Sequence, residues 1–287
     1  EPPVDTYPQD MLDSAKEFSN VAVITLGRLA GEGHNDMPMA MSEAGYDNNS
    51  EEYDDFQPDD HYLQLSQTEK DLVEMVCDNF DTVILLVNSG NPMELGFVDD
   101  YEQIKSVLWC PGPGNVGFTA LGEILRGTVN PSGKSTDTFA YHLKNAPWWN
   151  NYEDYHYSNL EHLAVEGMNS GVSQTYYPSF TNYVEGIYVG YKFYETAAVE
   201  GLIDYDTTVQ YPFGYGLSYT SFTQEMSTIT EDLESGTLSF DVTVTNTGAV
   251  AGKDVVEVYY NPPYTNGGIE KASANLVAFD KLSLIHI

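Results

Sequence analysis

A glutamate set between two glycines just beyond an apolar strand is the group in this sequence best placed to move a proton. The segment is GRLAGEGHND at residues 27–36, directly after the run VAVITLG at 21–27. Gly31 and Gly33 flank Glu32 and let the backbone take unusual dihedrals, so a tight loop can carry the carboxylate outward. Arg28, His34 and Asp36 lie close by and could tune its charge state. A carboxyl so placed suits general acid/base work. On residue types alone, an exposed loop carboxylate without a role is the commoner reading.

A second group of interest is aromatic. Residues 146–183 are rich in Tyr, Trp, Asn and Ser, show no clear period and include Trp148 and Trp149. Their rings could stack on sugar faces, or simply pack a long loop onto its domain. Two glycine motifs point elsewhere. GPGNVG at 112–117 fits the dinucleotide pattern after a strand and before a helix, but no acidic residue closes a second strand about twenty residues on. It reads as a tight turn with close helix packing. In GKS at 133–135, Thr128 stands where a phosphate loop needs glycine, and Asn130-Pro131-Ser132-Gly133 reads as a plain turn.

These groups need a scaffold, and the pattern predicts one. A helical stretch near 9–18 precedes the strand at 21–27. A helix over 67–79 precedes TVILLVN at 82–88. SVLWC at 106–110 precedes a helix over 118–127. Apolar runs alternating with amphipathic helices give an α/β fold: an open, mostly parallel sheet sandwiched by helices. Three strands are few beside the usual four to six or so, so the chain is expected to start inside a domain. From about residue 236 the texture changes. TLSFDVTVTNTG and DVVEVYYNPP alternate with period two around a turn at Asn246-Thr247-Gly248, as in a β-sandwich. The ending KLSLIHI shows no return strand, so this module is expected to be truncated and its LSLIHI tail not native.

Composition narrows the function classes. The net charge is -33, against phosphate-rich or anionic partners: no nucleic acid, no membrane surface. A neutral substrate is compatible with it. Eight acidic residues fall between Glu43 and Asp60. That stretch reads as a solvated loop, since its spacing does not match a calcium loop. Cys77 and Cys110 form neither a disulfide framework nor a paired zinc site. No cofactor or metal is expected. The opening EPPVDTYPQD has no signal-peptide character and no apolar run is long enough to span a bilayer. A cytoplasmic or a secreted location both stay open.

The sequence resembles family 3 glycoside hydrolases of the β-glucosidase type. GRLAGEGHND, NSGNPMEL, WCPGPGNVGFTALGEILRGTVNPSGK, YVEGIYVGYKFYET, YPFGYGLSYTSF and VTNTGAVAGKDVVEVYY carry the resemblance, in that order, over about residues 20–280. It implies an α/β sandwich domain over 1–213, a linker over 214–235 and a fibronectin type III-like domain over 236–287. It implies that Glu32 is the general acid/base of a retaining enzyme. The nucleophile aspartate would sit on a TIM barrel that no segment here resembles. Glu32 would have to be protonated at the start of each cycle, helped by burial beneath substrate or by Asp36 and opposed by Arg28. The implied partners are a neutral oligosaccharide or β-glucoside and the barrel domain of a parent enzyme. Unpaired sheet edges would also favour partner chains, a homodimer among them. The rival reading is a non-catalytic carbohydrate-binding or scaffold module.

Overall fold

A computed structural model describes residues 3–28, 55–57, 60–149, 156–169, 171–180 and 182–284. In chain order its first elements are α1 (Gln9–Phe18), β1 (Val21–Gly27), α2 (Gln67–Asn79), β2 (Thr82–Asn88) and β3 (Ile104–Trp109). There follow α3 (Gly117–Leu125), β4 (Phe139–Ala140), β5 (Val165–Asn169), β6 (Val172–Tyr176), α4 (Tyr191–Val199), α5 (Tyr205–Thr208) and β7 (Val209–Tyr211). The last six are β8 (Phe222–Met226), β9 (Thr230–Asp232), β10 (Thr237–Ser239), β11 (Val242–Asn246), β12 (Gly252–Tyr260) and β13 (Asn275–Leu284). The chain divides into two compact units, residues 1–109 with 140–189 and residues 110–139 with 190–287.

The first unit is built on a parallel sheet of order β1-β2-β3. β2 lies between its neighbours and is apolar throughout its middle, because a central parallel strand is covered on both faces. Val83, Leu85 and Val87 are fully buried. Each such side chain contributes about 1.5–3 kcal/mol on leaving water. β1 buries Ile24 and Leu26 but exposes Val21 and Val23. In-register pairing of Gly27 with Asn88 and of Val87 with Trp109 brings the three carboxyl ends together. α2 turns Val73, Val76 and Cys77 inward, one stripe of a helix at 3.6-residue period. Ser66 starts that helix with a capping box: its Oγ accepts from the Glu69 N–H, and the Glu69 carboxylate accepts from the Ser66 N–H.

The expected helices and parallel strands are present, with β3 set at Ile104–Trp109 rather than 106–110. Three expectations need correction. The stretch 146–183 is not without regular structure: β5 and β6 pair antiparallel around Gly171 at φ 87°. Both faces of this hairpin are largely exposed, so no hydrophobic alternation marks it in the sequence. The acidic stretch is not solvated throughout. Its Asp55 is 2% exposed, and Oδ1 accepts from the Thr68 N–H and hydroxyl at the first turn of α2. The remaining acidic residues before Asp55 lie outside the described residues.

The third correction is in the second unit. A return strand does exist: β13 pairs antiparallel with β12 and takes in the KLSL of the tail. It was hidden because Val277 and Phe279 are exposed, which breaks the apolar-in, polar-out rhythm. β8 with β11 and β9 with β10 complete the antiparallel ladders of the sandwich-like region. The Asn246-Thr247-Gly248 turn is present, with Asn246 Oδ1 accepting from the Gly248 N–H. The turn after α3 is knitted to the same region. Asn130 donates to Ala251 O and accepts from the Ser218 hydroxyl and the Tyr219 N–H. Lys134 Nζ donates to Gly216 O and stands 3.8 Å from Asp254 Oδ1. At GPGNVG, Gly112 and Gly114 take φ of 56° and 62°, values that favour glycine.

Candidate active site

In open α/β sheets, ligands gather beyond the carboxyl ends of the strands. Here the chain leaves β1 at Arg28, whose N–H donates to Asn88 O at the end of β2. Trp109 Nε1 donates to Ser89 O and ties in the end of β3. Glu32, His34 and Asp36 follow Arg28 in the chain and lie outside the described residues.

Arg28 itself is 7% exposed and engaged on all sides. Nη1 and Nη2 donate to the two Glu69 oxygens, each at 2.7 Å. Nη1 also donates to Gly27 O, Nη2 to Gln64 O and Nε to Tyr62 O. All five N–H donors of the guanidinium are thus used. Its charge is balanced by Glu69, and its Cζ lies 5.3 Å from the Tyr62 ring centroid. Arg28 therefore locks the exit of β1 to the start of α2. None of its donors is left for a ligand oxygen.

A second network lies beyond β2. Glu94 accepts from His61 Nε2 at 3.0 Å, from Gln64 Nε2 at 2.9 Å and from the Leu143 N–H at 2.6 Å. Burial pushes this carboxyl upward, but the three donors together outweigh it and hold Glu94 below its ordinary value. His61 is 2% exposed. Trp149 meets it edge-on, with ring centroids 5.0 Å apart, and Trp148 lies 6.3 Å from Trp149. Both tryptophans are half-buried. Sequence reasoning singled out these tryptophans but missed His61, Glu94 and Glu69. The signal for Glu69 was available as the Ser-x-x-Glu start of α2. His61 and Glu94 stand 33 residues apart and carry no local signature.

Among the described residues no group of His, Cys, Asp and Glu could hold a metal ion. Neither Cys77 nor Cys110 forms a disulfide. Burial raises the thiol pKa of each. Among the described residues no helix is long and apolar enough to cross a membrane.

Residues 7–191 match the model of the glycosyl hydrolase family 3 C-terminal domain. The chain belongs to glycoside hydrolase family 3. Relatives match over nearly all of its length. Beta-glucosidase A of Butyrivibrio fibrisolvens is 33% identical over 301 residues, covering 97% of this chain and 32% of the relative. A beta-glucosidase of Ruminococcus albus is 30% identical over 275 residues, covering 96% of this chain and 23% of the relative. Among solved structures, beta-glucosidase 3B of Thermotoga neapolitana in complex with glucose superposes with a TM-score of 0.71 at 28% identity. That match covers 99% of this chain and 33% of the other. The chain thus spans at most about a third of the length of these relatives.

Proposed function

We propose that this chain is part of a retaining β-glycosidase, of β-glucosidase type, in which Glu32 is the general acid/base. The observation that carries the reading is family 3 membership over the segment that holds Gly31-Glu32-Gly33, immediately past the carboxyl end of β1. In this reading residues 1–213 are the α/β sandwich domain and residues 236–287 belong to a fibronectin type III-like domain. The nucleophile aspartate stands on a barrel domain outside these residues.

The chemistry sets the geometry. The aspartate attacks the anomeric carbon while Glu32 protonates the leaving glycosidic oxygen. Glu32 then takes a proton from the water that hydrolyses the glycosyl-enzyme. Retention needs the two carboxyls about 5–5.5 Å apart, so the site forms only when the two domains dock. Arg28 supports it indirectly, since its charge is matched by Glu69 and its donors hold the strand end. The half-buried Trp148 and Trp149 offer ring faces to the sugar chain.

The test is hydrolysis of an aryl β-glucoside by the chain alone and mixed with a family 3 barrel domain. Turnover in the mixture only, lost with Glu32→Gln, is the expected result. Turnover by the chain alone would put the nucleophile on this chain and refute the split site.

A further inference from the structure

We propose that Glu94 and His61 are positioning residues that hold Trp149, beside Trp148, as a platform for the face of a β-linked glucosyl unit. The inference rests on the glycosidase reading for the class of ligand, and on the geometry for the residues.

Trp149 is fixed from two directions. The first runs through the backbone. The Leu143 N–H donates to Glu94, the Ala146 N–H donates to Leu143 O, and the Trp149 N–H donates to Ala146 O. The last two links are short turns, so the carboxylate at the first sets the path of the segment that ends in Trp149. The second runs through the ring contact with His61.

His61 is itself locked at both nitrogens. The Leu63 N–H donates to Nδ1 at 3.3 Å, so Nδ1 is the acceptor and the ring proton is assigned to Nε2, which donates to Glu94. Moving the ring proton to Nδ1 would set an N–H against the Leu63 N–H and leave Glu94 short of a donor. The Glu94 N–H in turn donates to Leu63 O, closing the loop between the two segments. Besides His61, the titratable group facing Glu94 among the described residues is His142, whose Nδ1 is 3.8 Å from Oε2 on a side chain 70% exposed.

A buried polar pair of this kind adds little stability over apolar packing, but it fixes one geometry. The geometry it fixes here ends in two half-buried indoles, linked through His61 to Glu94 on the segment that follows the carboxyl end of β2, the end at which ligands gather in such sheets. The ring faces match the C–H faces of a neutral pyranose, and a neutral ligand is indifferent to the net charge of -33.

The experiment is a cellobiose titration of the 287-residue chain, read by tryptophan emission and by calorimetry. The wild-type chain is expected to bind, and Trp149→Ala to weaken binding. Glu94→Gln places an amide N–H among three donors, and is expected to weaken binding about tenfold, the size of effect a lost buried partner produces. In the Trp149→Ala background, Glu94→Gln is expected to add nothing, because its effect passes through that ring. Should Glu94→Gln not fold, His61→Gln carries the same cycle, since it can still donate to Glu94 but removes the ring contact. No binding by the wild type, full affinity in Trp149→Ala, or additive losses in the double variant would each overturn the proposal. None of these readouts involves Glu32 or a barrel domain. Failure here therefore leaves hydrolysis by the mixture untouched, and failure of that hydrolysis leaves the platform untouched.

Discussion

Replacing Glu69 by glutamine should be among the most damaging single changes that leave side-chain shape intact. The Arg28 side chain is 4% exposed and that of Glu69 10%, with Nη2 to Oε2 at 2.7 Å. Glutamine keeps one oxygen but removes the charge, so a buried guanidinium loses its counter-ion. Removing one partner of a buried pair costs about 3–5 kcal/mol. For a unit of this size that corresponds to a fall in Tm of roughly 6–20 °C, at about 2–4 °C per kcal/mol. Thermal melts followed by circular dichroism would read the shift. Glu69 also belongs to the capping box, and Ser66→Ala measures that part separately at about 0.5–2 kcal/mol. The double variant Arg28→Met, Glu69→Met should lose less than the sum of its single changes, because no unpaired charge is left. A melt of Glu69→Gln within about 2 °C of wild type would show that Arg28 is not held by this pair, and the account of the strand end would fall.

Other consequences can be measured with the same chain. Glu94 is held below its ordinary value, so its contribution to stability is present above the usual carboxylate range, about 4.3, and is lost as pH falls through the folded value. Urea stability of wild type should therefore converge on that of Glu94→Gln as pH drops below the ordinary carboxylate range; a gap unchanged with pH would contradict the donor network. Gly216→Ala should destabilise by about 1–3 kcal/mol, because its new Cβ would collide with the backbone oxygen of Gly133. Gly122→Ala in α3 meets nothing within 4 Å and should leave the denaturant midpoint unchanged or raise it.

The parallel-sheet unit was legible because its elements announce themselves locally. TVILLVN is apolar end to end, as a strand buried on both faces must be, and α2 shows an inward stripe at Val73, Val76 and Cys77. What stayed hidden was either two-sided or long-range. The β5–β6 hairpin and β13 expose apolar side chains on their outer faces, so the period-two signal is lost. Arg28 was visible as a charge near Glu32, but its partner Glu69 lies 41 residues on, and only folding brings them together. Likewise Trp149 read as a loop aromatic until His61 and Glu94 gave it a fixed place.

The turn at Asn130–Lys134 has a consequence for how such chains can be recombined. Its side chains bond to residues 216, 218, 219 and 251, and Ser132 O accepts from Lys281 in the last strand. A crossover placed between residue 139 and residue 190 would separate this turn from the strands that complete it. A chimera would then inherit a sandwich region with an unmatched collar. Exchange of that region between relatives should succeed only when residues 110–139 travel with it, although they lie in an earlier part of the gene.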